Sequence, residues 1–264
     1  MLSEKHSIRD TLAQPGVHEK EILHYFSSNA FFRGPEPVFE KPLTVMAFTN
    51  RCGSNLLADY LNQTAKIGGF NESLNHDTIR RTAEREGINS LPDYISYVFG
   101  RFSKDGRFGI KASWDQITML SRSGILNMFP SVNIIHIKRS DVVSQAVSHW
   151  IAHQTRRWTS SQKGDAITPS YDFKSIDKII SSINQANSLI PLVSKTIGDS
   201  FTEALYEDVV RDPYGCVNNI GKSISLDLSD WSPNSPKITR QADSTNIMFC
   251  QNFISELRSV MVKL

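Results

Sequence analysis

The chain has 264 residues, 39% of them hydrophobic, and its 29 Lys and Arg against 27 Asp and Glu leave a formal charge of +2. That length and apolar content suffice for the core of one α/β domain, and so balanced a charge excludes nucleic acid or an anionic membrane surface as the main partner. Cys52, Cys216 and Cys250 are odd in number, widely spaced and match no metal pattern, so they read as free thiols of a reducing compartment.

Residues 1–42 read as an N-terminal extension that packs on the domain: positions 21–25 suggest a short helix, and Pro35, Pro37 and Pro42 mark an extended approach. The remainder, 43–264, reads as one domain. Its first strand, around Val45 to Phe48, ends in Thr49-Asn50-Arg51-Cys52-Gly53-Ser54-Asn55 and runs on into a helical pattern. Gly53 lets backbone N–H groups close around an anion, the helix adds the positive end of its dipole, and Arg51 adds a permanent charge. Taken alone, the same loop also fits a turn whose serine and asparagine cap the helix. A Walker A loop is excluded because the first glycine and the lysine are absent. Gly221-Lys222-Ser223 imitates one, but Gly215 stands one residue too far upstream in a segment that reads as helix.

Gly68-Gly69-Phe70-Asn71-Glu72 reads as a glycine-opened turn, followed by helical patterns at 78–86 and 92–102. A strand is expected over 107–111 and a second over 133–137. After the latter come Arg139, the good N-cap Asp141, and a helix through His153 with Ser144 and Ser148 on one face. Two strand–loop–helix units, each bearing an arginine and a serine, suit a ligand with two separated phosphates. The alternative for Arg139 is a surface pair with Asp141. Residues 159–173 have loop composition and suggest a mobile cover. Helices are expected at 174–195, 213–223 and 247–262, with a strand at 202–205. This alternation predicts an α/β fold with a central parallel sheet flanked by helices, and ligands at the strands' C-terminal ends.

Asp141-Val142-Val143-Ser144-Gln145-Ala146-Val147-Ser148-His149-Trp150, with Ala152, Gln154-Thr155 and Trp158, resembles the signature of the Stf0-type bacterial sulfotransferases, the trehalose 2-sulfotransferase-like family. Arg51-Cys52-Gly53-Ser54-Asn55-Leu56-Leu57 is similar to that family's R-S-G-S-T-L-L loop. Phe108 to Gln116 and Arg240-Gln241-Ala242-Asp243 extend the similarity from about residue 43 to about residue 260. Cys52 and Asn55 depart from the family's small hydroxyl residue and threonine, but backbone donors survive both changes.

The resemblance implies a three-layer, P-loop-kinase-like fold and a sulfuryl donor, 3′-phosphoadenosine 5′-phosphosulfate (PAPS), as co-substrate, with no metal. It implies that Arg51, Cys52, Gly53, Ser54 and Asn55 bind the 5′-phosphosulfate, that Arg139 and Ser148 bind the 3′-phosphate, and that Arg240 closes over the nucleotide. It also implies a glutamate base shortly after the first helix, and Glu72 falls at the matching distance. The histidine that serves as base in animal cytosolic relatives is absent, since Lys111 is followed by Ala112-Ser113.

Sulfuryl transfer needs an in-line hydroxyl, a base and positive charge on the departing oxygens, as phosphoryl transfer does. Lys111, at a strand end, is a candidate for contacting the bridging or a sulfuryl oxygen, although a strand-end lysine is also commonly solvated. Trp114, Trp150 and Trp158 could stack on sugar faces, with Trp150 better read as a core aromatic. His149 and His153 lack a third ligand and read as surface residues rather than a metal pair.

The expected activity is therefore PAPS-dependent sulfation of a hydroxyl on a glycan or other small-molecule acceptor. The rivals are a non-catalytic PAP- or PAPS-binding protein of the same fold and a small-molecule kinase. No apolar run approaches bilayer length and Met1 to His6 lacks a signal-peptide pattern, so the expectation is a cytoplasmic enzyme without membrane insertion. A homodimer is expected by family analogy.

Overall fold

The computed structural model describes residues 7–159, 162–237 and 243–262. Strand β1, Leu43–Phe48, is buried along its whole length, as befits a near-continuous apolar run in a parallel sheet covered on both faces. It is followed by α3, Ser54–Gln63, after the N-terminal helices α1, Ile8–Ala13, and α2, Val17–Phe26. Then come β2, Gly68–Asn71; α4, His76–Glu86; α5, Leu91–Phe102; β3, Phe108–Ala112; and α6, Trp114–Arg122. The second half contains β4, Val132–Lys138; α7, Val142–Thr155; α8, Phe173–Ile197; β5, Ser200–Leu205; α9, Tyr206–Arg211; α10, Pro213–Ser223; and α11, Ser244–Val262.

The five strands pair in parallel throughout, in the order β2-β3-β1-β4-β5. β1 sits at the centre, where the chain departs toward one edge and later returns to the other. Ligands bind outside the strand ends at such a reversal. The period-two alternation of β1 builds two apolar layers. Leu43, Val45 and Ala47 join a cluster with Ile22 and Phe26 of α2, Ile79 of α4, Tyr94 of α5 and Ile117 of α6. Met46 and Phe48 face the other way, onto Leu57 and Leu61 of α3 and Val217 of α10. A third cluster joins α7, α8 and α11 through Val147, Ile176, Phe249 and Phe253.

The expected helices and strands are found, mostly one to three residues longer than their periodicity indicated, and the Gly221 segment lies inside α10. Three elements differ. Residues 68–71 form the edge strand β2 rather than a turn: pairing with β3 overrides the low strand propensity of two glycines, with a register shift between Gly69 and Asn71. The helix expected at 21–25 is the C-terminal part of α2. Helix α1, a six-residue helix too short to show a period, is closed by a capping box between Ser7 and Asp10. The extension is fastened by Glu19, which is 6% exposed and pairs with Arg122 of α6, Nε to Oε1 at 2.8 Å.

Candidate active site

A cleft of about 1470 Å3 opens at the C-terminal ends of β1, β3 and β4. Pockets for a single small ligand run to roughly 300–1,000 Å3, so this one has room for a donor and an acceptor together. The chain leaves β1 through Arg51 at φ 64° and Gly53 at φ 94°, and Gly53 is the N-cap of α3. A Cβ on Gly53 would lie 2.3 Å from Cδ2 of Tyr206. The glycine thus supplies both a left-handed turn and a close approach, and α3 starts directly at the cleft with Gly53, Ser54 and Asn55 on its wall.

The second loop reaches the same wall because β1 and β4 are neighbours in register, Phe48 opposite Ile137. Arg139 follows β4, with its guanidinium carbon 5.2 Å from the centre of the Tyr206 ring. Its Nε is buried without a hydrogen-bond partner among the described residues. Arg51 Nε donates to Ser148 Oγ at 2.9 Å, and another guanidinium nitrogen donates to the Trp158 carbonyl. Burial, and then the charge of Arg139, hold Arg51 below the ordinary guanidinium range. Two cations thus face one space. Ser148 and Arg139, expected to share one phosphate, line the cleft together with Arg51, and the Ser148 hydroxyl here accepts from Arg51.

Fully buried Gln145 ties the two loops together, its Nε2 donating to Thr49 Oγ1 at 2.9 Å and to the Asn50 carbonyl at 2.8 Å. Asp141 caps α7 through the Ser144 N–H at 2.9 Å. His149 corrects a sequence expectation. It is half-buried against the Trp158 ring, centroids 5.5 Å apart, and lines the cleft, while His153 is exposed. Burial first, then His153 and Arg51, push the His149 imidazole down to about 4.

At the other end of the cleft, Lys111 is 2% exposed and its Nζ donates to Asn55 Oδ1 at 2.5 Å and to Glu72 Oε1 at 2.8 Å. The ammonium also lies 4.6 Å from the centre of the Phe48 ring. Glu72 follows β2 and is the more exposed member of the pair, at 57% against 2%. The lysine is therefore not a solvated strand-end residue: β3 buries its stem and delivers its charge to the carboxylate. This places an acidic group and a fixed cation on the same cleft wall as the turn at Gly53 to Asn55.

Cys52 departs from its expected role. Its thiol is fully buried in the core, and its N–H is taken up by the Thr49 carbonyl at 3.3 Å. Arg240 lies outside the described residues. Trp114 and Trp158 line the cleft, whereas Trp150 packs with α8 and α11 and donates to the Ser170 carbonyl at 2.8 Å. Of the loop expected as a cover, Thr159 and Gln162 reach the cleft, and Gln162 Oε1 accepts the Trp158 N–H at 2.7 Å. Tyr206, Gln145, His149 and His18 line or support the site and were not singled out for it. Tyr206 had a usable signal, since it follows the end of β5 much as Arg139 follows β4.

The family model of the Stf0 sulphotransferase matches residues 44–256. Trehalose 2-sulfotransferase of Mycolicibacterium smegmatis is 43% identical over 81 aligned residues, which cover 25% of this chain and 30% of that protein's length. Among solved structures, the sulfotransferase domain of the olefin synthase from Synechococcus PCC 7002 superposes with a TM-score of 0.53 at 16% identity, covering 85% of this chain and 98% of the domain. A sulfotransferase from Alicyclobacillus acidocaldarius gives 0.52 at 14% identity, covering 84% and 96%. At such identities the two structures speak for the fold alone.

Proposed function

Since the chain belongs to the Stf0 sulfotransferase family, as the match over residues 44–256 shows, we propose that its cleft takes PAPS and moves the sulfuryl group to a hydroxyl of a carbohydrate or other small metabolite. The observation that carries this reading is the convergence of Arg51 and Arg139 at the N-terminus of α3, where burial and then the neighbouring Arg139 disfavour the charge on Arg51. Such an arrangement is relieved by a polyanion. The α3 turn and Arg51 take the phosphosulfate, and Arg139 and Ser148 take the 3′-phosphate, for which Ser148 turns from Arg51. Arg240 closes over the nucleotide.

In the reaction, the acceptor oxygen attacks sulfur in line, the bond from sulfur to the bridging phosphate oxygen breaks, and 3′,5′-bisphosphoadenosine (PAP) leaves. Glu72 takes the hydroxyl proton. Lys111, held by Asn55, orients that carboxylate and offers positive charge to the bridging oxygen as it becomes negative. The unit spanning residues 43–264 carries the chemistry, with the described part of the extension before it packed on it. A cytoplasmic location and a homodimer are carried over from the family, the latter checked by light scattering. The test of function is transfer of labelled sulfate from PAPS to a panel of sugars that includes trehalose, run beside PAP calorimetry. Failure of PAP to bind would overturn the reading.

A further inference from the structure

The family match begins at residue 44, yet one wall of the cleft comes from before it: His18 of α2 lines the cleft with Glu72, Asn75, Trp114 and Asp115. This placement is rigid. The next residue, Glu19, is buried in its pair with Arg122, while Ile22 and Phe26 of the same helix are 2% and 5% exposed in the core. Gly16, the N-cap of α2, brings the extension so close that a Cβ there would stand 2.5 Å from Asp115 Oδ2.

The tautomer of His18 follows from its neighbours. His18 Nδ1 lies 2.8 Å from His76 Nδ1 and also accepts the His76 backbone N–H at 3.3 Å. An atom that accepts a backbone N–H must present its lone pair, so the proton of neutral His18 sits on Nε2, and the 2.8 Å contact then assigns a proton to His76 Nδ1. Burial lowers the affinity of His18 for a second proton, with Asp115 opposing and His76 reinforcing that shift. The ring is therefore a neutral N–H donor on the cleft lining that it shares with Glu72. Beside it, Asp115 spends one oxygen on Ser113 Oγ at 2.5 Å, and Trp114 offers a ring face.

We propose that the N-terminal extension completes the acceptor site, with His18 Nε2–H donating to an oxygen of an uncharged, hydroxylated acceptor while Asp115 disfavours acceptors that bring a carboxylate or phosphate to this end. The proposal rests on the sulfuryl-transfer reading and goes beyond it, because it makes specificity depend on a helix outside the matched domain. A donor held this firmly costs little ordering on binding, and its loss leaves an acceptor oxygen unpaired.

The test measures sulfate transfer from labelled PAPS to neutral sugars (trehalose, maltose, glucose) and to glucuronate and glucose 6-phosphate, with PAP calorimetry on each protein. The expected result is transfer to at least one neutral sugar in preference to the acids. His18→Phe then raises KM for that sugar roughly tenfold, with kcat and PAP affinity unchanged, and His18→Gln, which keeps an N–H donor, recovers most of the loss. Transfer confined to the acids, no transfer to any neutral sugar, or an unchanged KM in His18→Phe would overturn the proposal. If PAP still binds in those cases, the donor reading stands. Absent PAP binding overturns that reading instead. A His18→Phe protein that no longer binds PAP is replaced by His18→Gln, for which a KM rise as large as that expected of Phe would also overturn the donor role.

Discussion

Arg139 carries a buried Nε without a partner among the described residues, and such a group is a standing cost until something accepts from it. On the PAPS reading that acceptor is the 3′-phosphate. Arg139→Ala is therefore expected to weaken PAP by roughly 2 kcal/mol or more and to leave 5′-AMP almost unaffected, as titration calorimetry would register; equal losses for both nucleotides would remove Arg139 from the role. Glu72 sets a different expectation, because it meets the acceptor rather than the nucleotide. Glu72→Gln should cut kcat by roughly 10²–10⁴ with PAP affinity preserved, and turnover near the wild-type rate would place the base elsewhere. Both residues were legible as candidates, though by different routes. Arg139 sits just after an apolar strand and before a capped helix, a purely local signal, while Glu72 stood out by its distance from Arg51 in the family pattern. The inward aim of Cys52, the burial of His149 and the contact of His18 with the cleft were not legible. Each is decided by a tertiary contact that local periodicity does not announce: the Leu57 and Ile135 layer for Cys52, the turn that brings Trp158 back onto His149, and His76 for His18.

At the scale of elements, the junction of β1 and α3 does the most to shape the cleft. Its geometry depends on Gly53, whose φ of 94° and contact with the Tyr206 ring leave no place for a Cβ. A left-handed conformation costs an ordinary residue roughly 1–2 kcal/mol, and displacing Tyr206 adds to this. Gly53→Ala should therefore lower the melting temperature and, since Tyr206 also stacks on Arg139, weaken PAP binding in the same protein. An alanine variant with native donor affinity would show that the turn tolerates reshaping. Strand β2 teaches the complementary lesson. Its two glycines speak for a turn when taken alone, and only the open edge of β3 makes them a strand. Sequence periodicity finds elements that carry their own apolar stripe, and it misses those whose conformation a partner imposes.

For the molecule as a whole, the buried histidines tie stability to pH. His149 is lowered to about 4, and His18 and His136 are lowered chiefly by burial. A histidine with a folded pKa below its unfolded value of roughly 6.5 is protonated first in the unfolded chain as pH falls. The stability of the neutral form is thus fully present above about pH 6.5 and is lost progressively toward pH 4. Thermal melts should show a plateau near neutrality and a decline across that interval, made shallower by His149→Asn. An unchanged slope in that variant would mean other groups govern the acid limb. The parallel register of β1 and β4, Phe48 opposite Ile137, has a consequence of its own. Arg51 and Arg139 depart three and two residues beyond that matched pair, from strands whose spacing the backbone ladder sets at about 4.8 Å. The sheet thereby acts as a molecular ruler for the two loop backbones, and a bisphosphate with a longer linker between its anionic ends is expected to bind more weakly than PAP in titration calorimetry.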